Sequence, residues 1–174
     1  QVYAASKGVL LVNAAGNDGV DIDSVYSYPS DRLNNEPEVS SNFITIGAIG
    51  PVKNPLMVAP FSNYGKENVD LFAPGAIIYA PVPSDKYQAL SGTSMAAPAV
   101  SGVAAILLSY YPKLSPEAIR KALMASVVKI NYDLQFGHDR AKTTMGELSL
   151  TGGVVNAFNA LLYVSKQQKN LRKL

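Results

Sequence analysis

The stretch Leu90–Pro98 constrains the chain most, because it places a polar turn directly before a helix-length apolar run, Ala99–Tyr111. Gly92 predicts a sharp backbone turn, since glycine adopts conformations that other residues avoid. Thr93 is the predicted N-cap, which puts Ser94 in the first helical turn. Free N–H groups and the positive helix end favour negative charge there, so the Ser94 hydroxyl could attack a carbonyl while its own N–H holds the oxyanion. The alternative is that Ser94 only caps the helix, as serine often does.

The nonapeptide as a whole resembles the nucleophile motif of the subtilisin-like serine proteases, the subtilases. The matching positions are Gly92, Thr93, Ser94, Met95, Ala96 and Pro98. The family often has a histidine where this chain has Ala99, but that histidine is not the catalytic one. The resemblance implies an α/β fold with three layers, in which helices flank a parallel sheet and polypeptides are the substrates. It also implies that Ser94 is the nucleophile. The helix after it is apolar on every side, which predicts that it is buried all round.

A second segment, Asn13–Gly19, follows the apolar run Val9–Val12, which is typical of a buried parallel strand. Alone, this pattern predicts only a strand followed by a turn. Beside the Ser94 motif, its Ala-Ala-Gly-Asn resembles the subtilase oxyanion-hole segment, which implies that Asn17 donates its side-chain amide to the oxyanion. The resemblance further implies a substrate-binding set that consists of Ala14, Ala15, Gly16, Ser27, Gly92 and Thr93.

A serine hydroxyl needs a base that accepts its proton, and the family uses a histidine oriented by an aspartate. Both lie before the oxyanion segment in the family, whereas the residues that precede Asn17 here include neither histidine nor aspartate. The chain's one histidine, His138, follows Ser94, and with Asp139 it would need a topology that the family lacks. Residues 1–174 are therefore predicted to be the C-terminal portion of one subtilisin-like peptidase domain, inactive without the missing N-terminal half.

Two other interpretations were weighed against the peptidase. A non-catalytic subtilase-like domain, used for binding or structure, would lack the aspartate and histidine in the whole protein as well. An unrelated α/β hydrolase would carry Gly-x-Ser-x-Gly, and the stretch Gly92–Ala96 breaks that pattern at its last position.

The composition excludes several classes of partner. With 48% hydrophobic and 16% charged residues among 174, the chain can bury a core as about one domain. A net charge of +2 is too small to predict a nucleic-acid or membrane partner. There is no cysteine, and no apolar run was expected to reach the roughly 18 residues of a spanning helix. No signal peptide is apparent, and export from a bacterium is implied only by the family.

The polar stretch Asp21–Ser40 predicts a long surface loop. Some subtilases carry calcium, but Asp21, Asp23 and Asp31 match no calcium-loop spacing, so solvated carboxylates and no cofactor or metal are predicted. The basic stretch Lys166–Lys173 predicts a solvated tail.

The remaining patterns predict the order of elements. Strands are expected at 9–12, 42–48 and 69–73, a hairpin from 77–80 and 87–90, and helices at 94–110, 115–126 and up to about 164, with a polar insert at 131–150. Pro60–Gly65 is predicted to be a turn, and its Phe-Ser-Asn-Tyr-Gly resembles a further subtilase segment. Thr151–Ala157 resembles the closing segment of the family. Because the first strand lacks the partners that precede it in the family, an exposed strand edge and self-association are predicted.

Overall fold

A mixed, mostly parallel sheet organises the fold in a computed structural model, which describes residues 1–32, 36–137 and 139–171. Its strand order is β1-β2-β3-β9-β6, and all neighbours are parallel except β9 and β6. The strands are β1 (Leu11–Ala14), β2 (Phe43–Ile49), β3 (Leu71–Pro74), β6 (Val128–Lys129) and β9 (Gly153–Val154). The predicted first strand thus begins two residues later than expected. Every residue of β2 is buried, as the apolar pattern of a central parallel strand predicts.

Helices cover one face of this sheet. They are α2 (Thr93–Tyr110), α3 (Pro116–Ala125) and α5 (Ala157–Leu171), and a short α1 (Val2–Ser6) precedes β1. Side chains from these three helices join those of β2 and β3 in one apolar cluster, with Ile44, Leu71, Val100, Leu107 and Leu123 at its centre. The α3 cap is as predicted, since the Ser115 hydroxyl accepts a hydrogen bond from the Ala118 N–H and Pro116 follows it.

Only one side of α2 is covered by the described residues. Val100 and Leu107 are fully buried, but Ile106 and Leu108 on the other side are each 40% exposed. The expectation of burial all round is therefore wrong, because the described elements pack against a single face. The helix is also long and apolar enough to cross a membrane, with 18 residues and a mean hydropathy of 1.4, so the expectation of no such run is wrong too. One face of this helix packs on β1, β2 and β3.

The opposite face of the sheet carries the stretch that was expected to be a polar insert. This stretch forms β7 (Leu134–Phe136), β8 (Ala141–Thr143) and α4 (Met145–Leu148). Four of its side chains are buried with Phe72 of β3 in a second apolar cluster: Leu134, Phe136, Met145 and Leu148. The apolar residues of this layer are widely spaced among polar ones, so the sequence pattern does not predict it. The three-layer α/β fold is nevertheless confirmed.

A hairpin leads the chain to the site, and a long helix ends the described part of the chain. The hairpin of β4 (Ile78–Val82) and β5 (Lys86–Leu90) forms as predicted and leads directly to the start of α2. At the other end of the chain, α5 continues to Leu171, so the expected solvated tail is helical for most of its length.

The strand edge of β1 is unpaired in the sheet, because β2 is its one neighbour among the described strands. Together with the exposed apolar face of α2, this edge is a template for pairing with another chain. We expect the isolated chain to self-associate, and its mass by static light scattering should rise with concentration. A constant monomer mass at high concentration would contradict this expectation.

Candidate active site

Ser94 is the second residue of α2, and it is exposed. The helix cap is Gly92 and not Thr93, because Thr93 already has helical geometry and its side chain makes other contacts. The chain bends at Gly92, but its φ of 163° and ψ of 158° are an extended conformation that any residue adopts, so the bend does not require glycine. Ser94 thus lies where the first helical N–H groups lack intrahelical partners, and this position suits a developing negative charge.

Asn17 is joined to the residue that precedes Ser94. Its Oδ1 accepts hydrogen bonds from the Thr93 N–H at 2.8 Å and from the Thr93 hydroxyl at 3.0 Å. Because both Thr93 groups donate, the atom that they contact must be Oδ1, and Nδ2 therefore points away from Thr93. Within the described residues Nδ2 makes no hydrogen bond, and it lies 3.5 Å from where a Cβ on Gly92 would be. A free amide donor therefore lies at the N-terminus of α2.

The loop around Asn17 is held on both sides. The Gly16 N–H donates to the Thr93 hydroxyl oxygen at 3.1 Å, so Thr93 contacts two successive loop residues. Gly16 has φ of +107°, and a Cβ there would lie 2.3 Å from Nδ2 of Asn63. Glycine is required for both reasons. Asn63 itself is 2% exposed and hydrogen bonds along this loop. Sequence reasoning missed this role, although the Phe-Ser-Asn-Tyr-Gly resemblance marked its position.

The predicted substrate-binding residues divide into two places. Thr93 and Gly92 are buried beside Asn17, and Ala14 and Gly16 are half-buried. Ala15 is 1% exposed and packs in the second apolar cluster. Ser27 instead lines a separate cavity of about 150 Å³, together with Asn13, Asp23, Arg32 and Thr45, and neither Ser94 nor Asn17 contributes to its walls. The role of each of these residues in binding substrate stays a prediction.

The loop carboxylates are engaged by the protein itself. Asp21 accepts hydrogen bonds from the Asp23 N–H and the Ser24 hydroxyl, and Asp23 accepts from the N–H groups of Glu67 and Asn68. Asp31 is 6% exposed, so the expectation of a solvated carboxylate is wrong there. The described residues contain no group of three or more metal-ligating side chains. The absence of a cofactor stays a prediction, and His138 lies outside the described residues.

An ionic network lies where the chain enters β3, and it joins Asp70 to Arg120 of α3. The Arg120 guanidinium donates to both Glu38 carboxylate oxygens, at 2.6 and 2.8 Å, and to Asp70 Oδ1 at 2.9 Å. Asp70 Oδ2 accepts from the Thr45 N–H at 2.7 Å. Hydrogen bonds from Arg120 lower the pKa of Glu38. Burial, with the charges of Asp70 and Glu38, raises the pKa of Asp31 to about 6. Through the ion pairs of Arg120, the network connects the loop that precedes β2, the start of β3 and helix α3.

Replacing Asp31 with asparagine is expected to stabilise the protein at pH 8 but not at pH 4. The folded-state pKa of Asp31, about 6, exceeds an unfolded value of about 3.9. The folded protein therefore binds this proton more tightly, and stability falls as the pH rises from 4 through 6. Asparagine carries no charge, so the substituted protein does not lose this stability as the pH rises. Thermal unfolding midpoints of both proteins at the two pH values measure the effect. An equal difference at both pH values would contradict it.

Comparisons with known proteins identify the family to which the chain is similar. The model of the subtilase family matches residues 1–152. The chain is 36% identical over 134 residues to subtilisin DY of Bacillus licheniformis, which covers 77% of the chain and 45% of that protein. It is 40% identical over 107 residues to the major intracellular serine protease of Bacillus subtilis (strain 168), which covers 62% of the chain and 30% of that protein.

Solved structures extend the likeness to the fold. A structure of the subtilase cytotoxin SubAB assembly matches with a TM-score of 0.71 and 26% identity, over 88% of this chain and 48% of the other. The prenylagaramide maturation protease PagA matches with a TM-score of 0.68 and 28% identity, over 92% and 52%. The chain thus spans about half or less of each relative. Because the family model matches most of its residues, the chain belongs to the subtilase family.

Proposed function

We propose that this chain forms the part of a serine endopeptidase that carries the nucleophile, Ser94, and one oxyanion donor, Asn17. The observation that carries the proposal is the pair of hydrogen bonds from Thr93 to Asn17 Oδ1, at 2.8 and 3.0 Å. They leave the Asn17 amide free to donate next to Ser94. A nucleophile beside a fixed donor at a helix N-terminus suits acyl transfer.

In the proposed reaction, Ser94 Oγ bonds to the carbonyl carbon of a peptide, and the carbonyl oxygen takes the negative charge. The Ser94 N–H and Asn17 Nδ2 donate to that oxygen. The hydroxyl proton passes to a base and from there to the amide nitrogen, the C–N bond breaks, and the amine leaves. Water then gives a proton to the base and attacks the ester on Ser94, and breaking of the ester C–O bond releases the acid and restores the hydroxyl. A histidine and an aspartate from outside this chain would supply that base, since none precedes Asn17 here. We therefore expect the isolated chain to be inactive.

Labelling with a fluorophosphonate tests the nucleophile in the full-length protein that contains this chain. The phosphorus should bond to Ser94 Oγ with loss of fluoride, and mass spectrometry of peptides should place the adduct on Ser94. Ser94→Ala should abolish the adduct and the hydrolysis of casein. Ser101→Ala is the matched control, because Ser101 lies in the same helix with its hydroxyl bonded to the Ala97 carbonyl. Normal cleavage by Ser94→Ala would overturn the assignment.

A second candidate is a subtilase-like domain that binds or supports other chains without cleaving them. In this candidate the whole protein would lack the histidine and the aspartate as well. This candidate predicts no fluorophosphonate adduct on the full-length protein, so the same experiment separates the two. Export from a bacterium remains a proposal, and one relative is named an intracellular protease.

A further inference from the structure

Asn17 lies in a loop just beyond β1. The Ala15 N–H still donates to the Ile46 carbonyl of β2 at 3.0 Å, but the described residues include no backbone hydrogen bond from Asn17 itself to the sheet. The position of the Asn17 amide therefore depends on the residues that hold the loop on either side of it. Thr93 holds the carboxamide oxygen, as described above, but it contacts only Gly16 and Asn17. Something else must fix the backbone on either side of Asn17.

Asn63 makes most of those contacts, and backbone hydrogen bonds between Gly19 and Phe61 and between Val20 and Tyr64 add to them. Its Oδ1 accepts from the N–H groups of Asp18 at 2.9 Å and Val20 at 3.2 Å, after Asn17 in the chain. Its Nδ2 donates to the Ala15 carbonyl at 3.0 Å, and its backbone N–H donates to the Gly16 carbonyl at 3.0 Å, before Asn17. One buried residue thus holds the loop both before and after the proposed donor.

Asn63 is itself fixed to the central strand. The Ser62 hydroxyl accepts from the Ala48 N–H of β2 at 2.9 Å and donates to the Asn63 carbonyl at 2.9 Å. Ser62 is fully buried, and Asn63 is 2% exposed. The connection from rigid sheet to reactive loop is therefore continuous, which is how a site is kept in a productive geometry.

We propose that Asn63 is a positioning residue for hydrolysis by the parent enzyme, and that it acts through Asn17. The inference rests on the proposed function, in which Asn17 donates to the oxyanion. Asparagine suits the position because its carboxamide both accepts and donates. Aspartate would keep the two bonds to the Asp18 and Val20 N–H groups but place an oxygen against the Ala15 carbonyl. A small displacement of the donor weakens the oxyanion contact without changing how the ground-state peptide binds.

A double-mutant cycle on the full-length enzyme tests the proposal, with kcat and KM measured on a chromogenic peptide anilide. Asn63→Ala is expected to lower kcat by about 10–100-fold with KM changed less than about twofold, since small misplacements cost up to about 10². In the Asn17→Ala background the same change should lower kcat no further, because the donor it positions is gone. Asn63→Asp, which keeps two of the contacts, should lie between alanine and the unsubstituted enzyme, and it serves if Asn63→Ala does not fold.

Asn68→Ala is the matched control. Asn68 is another loop carboxamide that donates, to Asp23 at 2.8 Å and to the Ile22 carbonyl at 3.4 Å. Within the part of the chain that the structure describes, it makes no hydrogen bond with residues 15–20 of the Asn17 loop. It should leave kcat unchanged. An equal fold-loss from Asn63→Ala in both backgrounds, or an unchanged kcat, would overturn the inference and leave the proposed function standing. If Asn17→Ala alone leaves kcat unchanged, the proposed function fails first.

Discussion

Replacing Asn17 with alanine in the full-length enzyme is expected to lower kcat by about 10²–10³-fold while KM changes little. This range is the measured cost of removing such a donor from a subtilisin, a relative of this chain. The physical reason is that charge reaches the carbonyl oxygen only in the transition state, so the lost hydrogen bond stabilises that state alone. The free Nδ2, set by the two bonds from Thr93 to Oδ1, is the structural basis.

Steady-state kinetics on a peptide anilide measure the Asn17 effect, and Asn68→Ala, a loop carboxamide bonded to Asp23, serves as the control. The thermal unfolding midpoint of each variant shows that the fold is kept. A loss in kcat below about tenfold would exclude Asn17 as an oxyanion donor, since even one such contact contributes more. A raised KM with unchanged kcat would place Asn17 in substrate binding instead.

Replacing Arg120 with methionine is expected to destabilise the protein by about 3–5 kcal/mol, the usual cost of removing one partner of a buried ion pair. Arg120 is 8% exposed and bonds to both Glu38 oxygens and to Asp70. Methionine fills much of the volume but leaves the buried Asp70 carboxylate without its counter-charge. Denaturant unfolding, with the midpoint and its slope both measured, gives the free energy of unfolding.

Lys121→Met provides the comparison for Arg120, because Lys121 is the next residue of α3 and is exposed. It should change the free energy of unfolding by no more than about 0.5 kcal/mol. If Arg120→Met costs less than about 1 kcal/mol, the network contributes little to stability and its carboxylates are neutralised in another way.

The elements that the sequence predicted well are those with continuous apolar runs or a clear cap. β2, β3, the β4–β5 hairpin and α3 form within two residues of their expected bounds. The stretch 131–150 was misjudged because Leu134, Phe136, Met145 and Leu148 are spread among polar residues and become a core only against Phe72. Pairing of β9 beside β3 joins residues more than eighty apart, which local patterns do not report.

The candidate site was predictable as residues but not as contacts. The resemblance implies the roles of Ser94 and Asn17, whereas the local pattern predicts only a helix cap at Thr93 and a turn at Asn63. Both side chains hydrogen bond to a loop that is distant in the sequence, and the spacing of residues in a motif does not predict such contacts. Asp31 was taken for a solvated carboxylate because loop acids usually are, and only the fold shows its burial.

The Arg120 network also bears on the order in which the chain folds during synthesis. Arg120 follows Asp70 by 50 positions and Glu38 by 82. While the ribosome has released β2 and β3 but not α3, Glu38 already has Arg32 nearby, but Asp70 has no cation to offset its burial. We therefore expect the nascent polypeptide to bury Asp70 only after α3 has emerged, when the helix that carries Ser94 is already made.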